Sequence, residues 1–179
     1  MNNKKQTSSR KKKKSYMPFL YIGIIVIVFG AIFALGKMNV NKLYEMPASE
    51  LNPATRILLD DPLYQNIILP DELDKKMKDQ DDFFVYMFSA SCSYCKDTTP
   101  HLIPLAEELD IDLPMFNLLE FPAYNAKLNI DSTPTLLYIQ DGVEADRLVG
   151  GIRKEGMTQG NTVQQFREFL EEHNGADAK

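Results

Sequence analysis

Cys92 and Cys95, three positions apart, are the only cysteines among the 179 residues. Thiols at i and i+3 can close a small disulfide ring. At the start of a helix the first of them sits among unpaired backbone N–H groups and the positive end of the helix dipole, which stabilise a thiolate. Cys92 is then the nucleophile and Cys95 the resolving thiol: Cys92 attacks a disulfide, and Cys95 breaks the mixed disulfide that forms. Two alternatives stand beside this redox reading. One is a half zinc site, but His101 and His173 are the only histidines, and Cys92, Cys95 and His101 would still want a fourth ligand. The other is an inert structural disulfide, whose small ring would constrain little of the unfolded chain. We expect a redox-active pair, with no metal and no cofactor.

Such a pair must be held by the elements around it. Phe83 to Phe88 (FFVYMF) is a continuous apolar, aromatic-rich run, the pattern of a strand buried on both faces. A helix is expected from Cys92 to Leu109, with Pro100 and Pro104 kinking it. Upstream, Ile67-Ile68-Leu69 reads as a short strand, and Pro70 opens a charged helix to about Lys78. Downstream come a strand within Pro114–Leu119, a short helix near Ala123–Leu128 and a strand from Thr135 to Ile139. An Asp141-Gly142 turn, a partner strand from Ala145 to Val149 and an amphipathic helix from Thr162 to His173 complete the chain. The order β-α-β-α-β-α-β-β-α predicts an α/β fold with a mixed sheet and helices on both faces.

On these residues the chain resembles the thioredoxin family, from about Gln65 to His173. The strand–CxxC–Lys segment (FFVYMFSASCSYCK) is similar to the family's active-site segment. Pro100, five residues after Cys95, matches the proline of its active-site helix. Ile130 to Thr135 (IDSTPT) matches its loop, and Asp141-Gly142, Gly150-Gly151 and the last helix match its hairpin and C-terminal end. The resemblance implies that Pro134 is cis and faces the disulfide, blocking metal binding by the CxxC. It also implies that the Thr133 backbone pairs with a substrate strand. Departures from the family are Ser91 where it has Trp, Tyr86 where it has a buried Asp that serves the resolving thiol, and Ser93-Tyr94 between the cysteines. Tyr94 then offers an aromatic edge beside Cys92, as a substrate-binding residue or as a half-exposed packing residue.

The net charge of −5 joins two opposite parts. Residues 1–16 carry seven cations and no acid, leaving 13 basic against 25 acidic residues, a net of −12, in the rest. From Ser15 to Gly36 no residue is charged, and Phe19 to Leu35 reads FLYIGIIVIVFGAIFAL. That run has the length a helix needs to cross a bilayer core of roughly 30 Å, and Tyr16 and Tyr21 stand where an aromatic belt would lie. The cations before it, against only Lys37 and Lys42 close behind, put the N-terminus in the cytoplasm by the positive-inside rule. Residues 1–16 are thus expected as a basic arm, 17–36 as an anchor, 37–65 as a spacer and 66–174 as the catalytic domain. A cleaved signal ending near Ala34-Leu35-Gly36 is the alternative, and it exports the body equally. Export removes the nucleic-acid reading of the lysines.

A composition of 44% apolar and 25% charged residues excludes collagen-like and wholly disordered classes. We expect an extracytoplasmic, membrane-tethered thiol–disulfide oxidoreductase. Its partners would be exported protein thiols and disulfides, together with a membrane redox partner. The rival is a thioredoxin-like binding or assembly module with little redox activity. His101 and His173 are expected to serve the helix surface and the C-terminal end of the last helix.

Overall fold

The structure, a computed structural model, describes residues 17–38, 40–153, 156 and 158–174; the basic arm lies outside them. The chain divides into two compact units at Val40. The first contains α1 (Met17–Met38), a 22-residue helix. Its described side chains, those of residues 20–33, are all exposed. Among the described residues no helix is long and apolar enough to cross a membrane. The described side chains of α1 stop short of the ~20 apolar residues that a span needs.

The second unit begins at Asn41. From Asn41 on, the segment expected as a spacer belongs to it and contributes buried Tyr44, Leu51, Thr55 and Tyr64. A short ladder pairs β1 (Val40–Asn41) with β2 (Met46–Pro47). Next come α2 (Pro53–Arg56), started by proline and capped by the Asn52 side chain, and a 3-10 turn at Pro62–Tyr64. Asn117 fastens this segment. Its amide donates to the Tyr44 hydroxyl and the Thr55 Oγ1, both at 3.1 Å. Its carbonyl oxygen accepts from the N–H groups of Ala90 at 3.3 Å and Leu119 at 3.1 Å. A fully buried amide is tolerated because each of its hydrogen-bonding positions is used.

The remaining elements are α3 (Pro70–Lys78), β3 (Phe83–Phe88), α4 (Ser93–Glu108), β4 (Met115–Asn117), α5 (Ala123–Lys127), β5 (Thr135–Gln140), β6 (Val143–Val149) and α6 (Val163–Asn174). The sheet runs β4-β3-β5-β6, with β3 parallel to β4 and the other pairs antiparallel. This is the expected mixed sheet. All six residues of β3 are buried, because alternate side chains enter two different cores. Phe84, Tyr86 and Phe88 join α4, α6 and Tyr64 on one face; Phe83, Val85 and Met87 join Leu73 of α3 and Tyr124 of α5 on the other. Each large apolar side chain so buried contributes about 1.5–3 kcal/mol.

Two details depart from expectation. Ile67–Leu69 forms no strand; Ile67 makes one bridge to Met115, since Pro70 has no N–H and turns the chain at once into α3. The hairpin strand β6 begins at Val143, two residues earlier than its sequence pattern shows. Two residues join β5 to β6: Asp141 and Gly142 both have positive φ, 52° and 74°, the pairing that a two-residue hairpin favours. A Cβ on Gly142 would meet the Met77 carbonyl oxygen.

Candidate active site

β3 delivers the chain to the active-site end of the sheet, and Ser89–Ser91 turn it into α4. Cys92 is the N-cap of α4, with extended backbone (φ −78°, ψ 124°), and its N–H donates to the Ser89 carbonyl at 2.9 Å. Cys92 is half-buried and Cys95 fully buried, and both thiols are free. A helical turn places them so: the cap residue lies at the surface, and the residue three positions on rotates under it into the core.

The Cys92 thiol donates to the Thr133 carbonyl oxygen at 3.4 Å. Burial would push this thiol up, but hydrogen bonds from the Thr133 side chain and from the Cys95 and Tyr94 backbone outweigh it. The net shift is downward from the ordinary thiol value. Cys95 goes the other way, pushed up to about 12 by burial, with the hydrogen bond and charge of Cys92 adding to it. One thiol is therefore poised to ionise near the surface, and its neighbour is held protonated beneath.

The loop expected to face the thiols does so. The Thr133–Pro134 bond is cis, Pro134 is buried, and its carbonyl accepts the Gly150 N–H at 2.9 Å. Tyr94, 53% exposed, stands at a pocket of about 580 Å³ shared with Ser132, Thr133, Gly151 and Ile152. Cys92, Cys95, Tyr94, Thr133 and Pro134 thus meet at one end of the sheet. His101 is exposed on α4. His173 meets Asp146 at 3.2 Å and stacks on Tyr138, so it packs α6 against the sheet. Among the described residues no three His, Cys, Asp or Glu side chains gather as a metal-holding group.

Thr98 joins this site without any signal in the CxxC spacing. Its hydroxyl donates to the Tyr94 carbonyl at 2.7 Å and accepts the Ile152 N–H at 2.9 Å. The approach requires glycine next door: a Cβ on Gly151 would come within 2.6 Å of the Thr98 Oγ1 and 3.2 Å of the Tyr94 carbonyl oxygen. Tyr64 is a second such residue. It comes from the supposed spacer; burial above all raises its pKa, a hydrogen bond with Thr99 opposes that, and the charges of Asp61, Cys95 and Cys92 add to it.

Chemically the arrangement can run thiol–disulfide exchange. An ionised Cys92 sulfur attacks one sulfur of a partner disulfide, forming a mixed disulfide and releasing the other partner sulfur as a thiolate. Cys95 then loses its proton and attacks Cys92, forming the internal disulfide and releasing the partner's second sulfur. A family model described as Thioredoxin matches residues 66–162. Among solved structures the chain is similar to a mutant thioredoxin from Halobacterium salinarum NRC-1, at 20% identity over 60% of this chain and 87% of that one, with a TM-score of 0.47. It is also similar to thioredoxin from Aeropyrum pernix, at 24% identity over 59% and 83% of the two chains, with a TM-score of 0.44. Mitochondrial thioredoxin 3 from Saccharomyces cerevisiae gives 23% identity over 49% and 87%, with a TM-score of 0.43.

Proposed function

Because this chain belongs to the thioredoxin family, matched over residues 66–162, we propose that it is a membrane-tethered thiol–disulfide oxidoreductase acting outside the cytoplasm on exported protein thiols and disulfides. The observation that carries the redox part is the split between the two thiols. Cys92 is half-buried, and its pKa is lowered; Cys95 is fully buried, and its pKa is pushed to about 12. A binding module has no use for such a difference. A nucleophile and its resolving partner need it, because the first must be a thiolate at working pH and the second must wait as a thiol until the mixed disulfide forms.

Tethering rests on the uncharged run from Ser15 to Gly36, on the helix α1 that contains most of it, and on the cations before it. An oxidising compartment suits a chain whose only cysteines are its redox pair. The pocket beside Tyr94 and the Thr133 backbone would receive an extended substrate segment.

Full-length protein in detergent micelles, assayed by insulin reduction and by reactivation of scrambled ribonuclease, tests the redox reading against its Cys92→Ser variant. Loss of either activity in the variant supports the oxidoreductase. Equal behaviour of the two proteins would replace it with the binding module.

A further inference from the structure

β6 ends at Val149, and the chain beyond it makes a loop that closes on its own start. Ile152 bridges Asn161. The Asn161 N–H donates to the Gly151 carbonyl, and the Asn161 carbonyl accepts the Arg153 N–H, both at 2.8 Å. Its side-chain amide donates as well, to the carbonyls of Val149 at 2.8 Å and Gly150 at 2.9 Å. Backbone and side chain of one asparagine therefore fix the place where the loop returns to the end of the sheet.

Thr158 and Gln159 of this loop are exposed, and they line the pocket of about 580 Å³ together with Tyr94, Thr133 and Ile152. Thr133 joins the pocket to the nucleophile, because its carbonyl accepts the Cys92 thiol at 3.4 Å. Thr98 joins Tyr94 to the loop, through its bonds to the Tyr94 carbonyl and the Ile152 N–H. The volume falls in the range of sites that enclose a ligand group.

Resting on the oxidoreductase reading, we infer that this pocket is a subsite for an uncharged aromatic side chain of the substrate, and that the loop closed by Asn161 sets this selectivity. The side chain lies within two residues of the cysteine that Cys92 attacks. Among the described residues that line the pocket none is charged, so a substrate carboxylate or ammonium would shed water there and meet no opposite charge. A methyl group would leave most of the space to water. An aromatic ring covers Ile152 and pairs with the Tyr94 ring, which has surface to offer at 53% exposure, in an offset or edge-to-face arrangement. The Thr158 hydroxyl and the Gln159 amide suit a phenol O–H or an indole N–H, so tyrosine and tryptophan are admitted with phenylalanine. The reach follows from strand geometry: in an extended segment a side chain two positions from the cysteine stands about 6–7 Å from it on the same face.

Disulfide-linked dimers of a short peptide, with Phe, Ala, Lys or Asp two residues from the cysteine, test this on full-length protein in micelles. Dithiothreitol serves as the reductant that returns Cys92 and Cys95 to thiols. The Phe peptide should exceed the Ala peptide about fivefold in kcat/KM, mostly through KM, which is the scale of one aromatic pair. The Lys and Asp peptides should fall below the Ala peptide. Asn161→Ala should bring the Phe-to-Ala ratio close to one, and a ratio cancels any loss common to both peptides. Gln159→Glu, at an exposed position, keeps the test open if Asn161→Ala perturbs folding: it should raise the Lys peptide above the Ala peptide and lower the Asp peptide further. Equal kcat/KM for the Phe and Ala peptides in the wild type would overturn the subsite. A Phe preference kept by Asn161→Ala, with no gain of the Lys peptide in Gln159→Glu, would overturn the role of the loop. No turnover of any peptide by the wild type would overturn the oxidoreductase reading instead.

Discussion

The Thr98 hydroxyl accepts the Ile152 N–H at 2.9 Å, which couples the active-site helix to the segment that leaves β6. The same hydroxyl donates one turn back, to Tyr94, so the position of Tyr94 beside the pocket depends on a residue that touches no substrate. Thr98→Val keeps the shape and removes both bonds, leaving the Ile152 N–H without its partner. We expect a loss of about 1–3 kcal/mol in urea denaturation. Unchanged stability would show that water replaces the hydroxyl there.

The two cysteines should differ in trapping. Cys95→Ala retains the nucleophile and loses the group that releases it, so mixed disulfides with partner proteins accumulate and are seen on non-reducing gels. Cys92→Ala leaves a thiol that is buried and held protonated, and should trap at least tenfold less. Equal trapping by the two variants would contradict the assigned roles.

The same split fixes a pH dependence. Cys92 has its folded pKa lowered from 9.0, so its contribution to stability is present above the unfolded value and lost as pH falls through the folded one. Cys95 has its pKa raised from 9.0 to about 12, so its contribution is complete below the unfolded value and lost as pH rises toward the folded one. Reduced wild type should therefore lose more stability than Cys95→Ala between about pH 9 and about pH 12, as measured by urea denaturation. Parallel losses in the two proteins would place the Cys95 thiol in a less buried setting than this one.

Much of this was legible in the residues, and the reasons are local. β3 declares itself because all six of its side chains are apolar or aromatic and all are buried. α4 and α6 have strong helical spacing, and the Asp141-Gly142 turn has a residue pair that suits its two positive φ angles. What stayed hidden was held by long-range polar contacts. Asn117 lies 73 positions from Tyr44 and 62 from Thr55, and no periodicity connects them. Segment 37–65 therefore read as a spacer, since its prolines and short elements show no amphipathic face; the burial of its part from Asn41 on depends on Asn117 and on Tyr64 packing against Phe88. The CxxC pair was legible from its spacing at a helix start, and the Thr133-Pro134 loop through family resemblance. Spacing alone does not bring together groups 41 positions apart such as Cys92 and Thr133.

Asn117 offers a direct test of that segment. Asn117→Ala leaves the Ala90 and Leu119 N–H groups and two buried hydroxyls short of a partner, at a site with 0% exposure. The cost should reach about 2–5 kcal/mol, and limited proteolysis should cut within residues 41–56 well before the rest of the unit. Because Ala90 sits two residues before Cys92, Cys92 alkylation should also become faster and less selective. Uniform cleavage across the unit would mean that the segment folds with the core rather than through Asn117.

The last expectation concerns orientation. Seven cations precede the apolar run, and only Lys37 and Lys42 follow closely. Basic residues beside a span are retained on the cytoplasmic side, so the bias favours an inside N-terminus by a margin of five charges. An α-helix is the form such a run would take in lipid, because it satisfies its own backbone hydrogen bonds. Single-cysteine reporters in a Cys92→Ser, Cys95→Ser background read the topology directly. A cysteine placed at Ser9 should resist a membrane-impermeant maleimide in intact cells, whereas one at exposed Glu172 should react. Protease added outside should likewise remove the body and spare the arm. Protection of Glu172→Cys with labelling of Ser9→Cys would reverse the orientation, and the oxidising compartment assigned to the Cys92–Cys95 pair would fall with it.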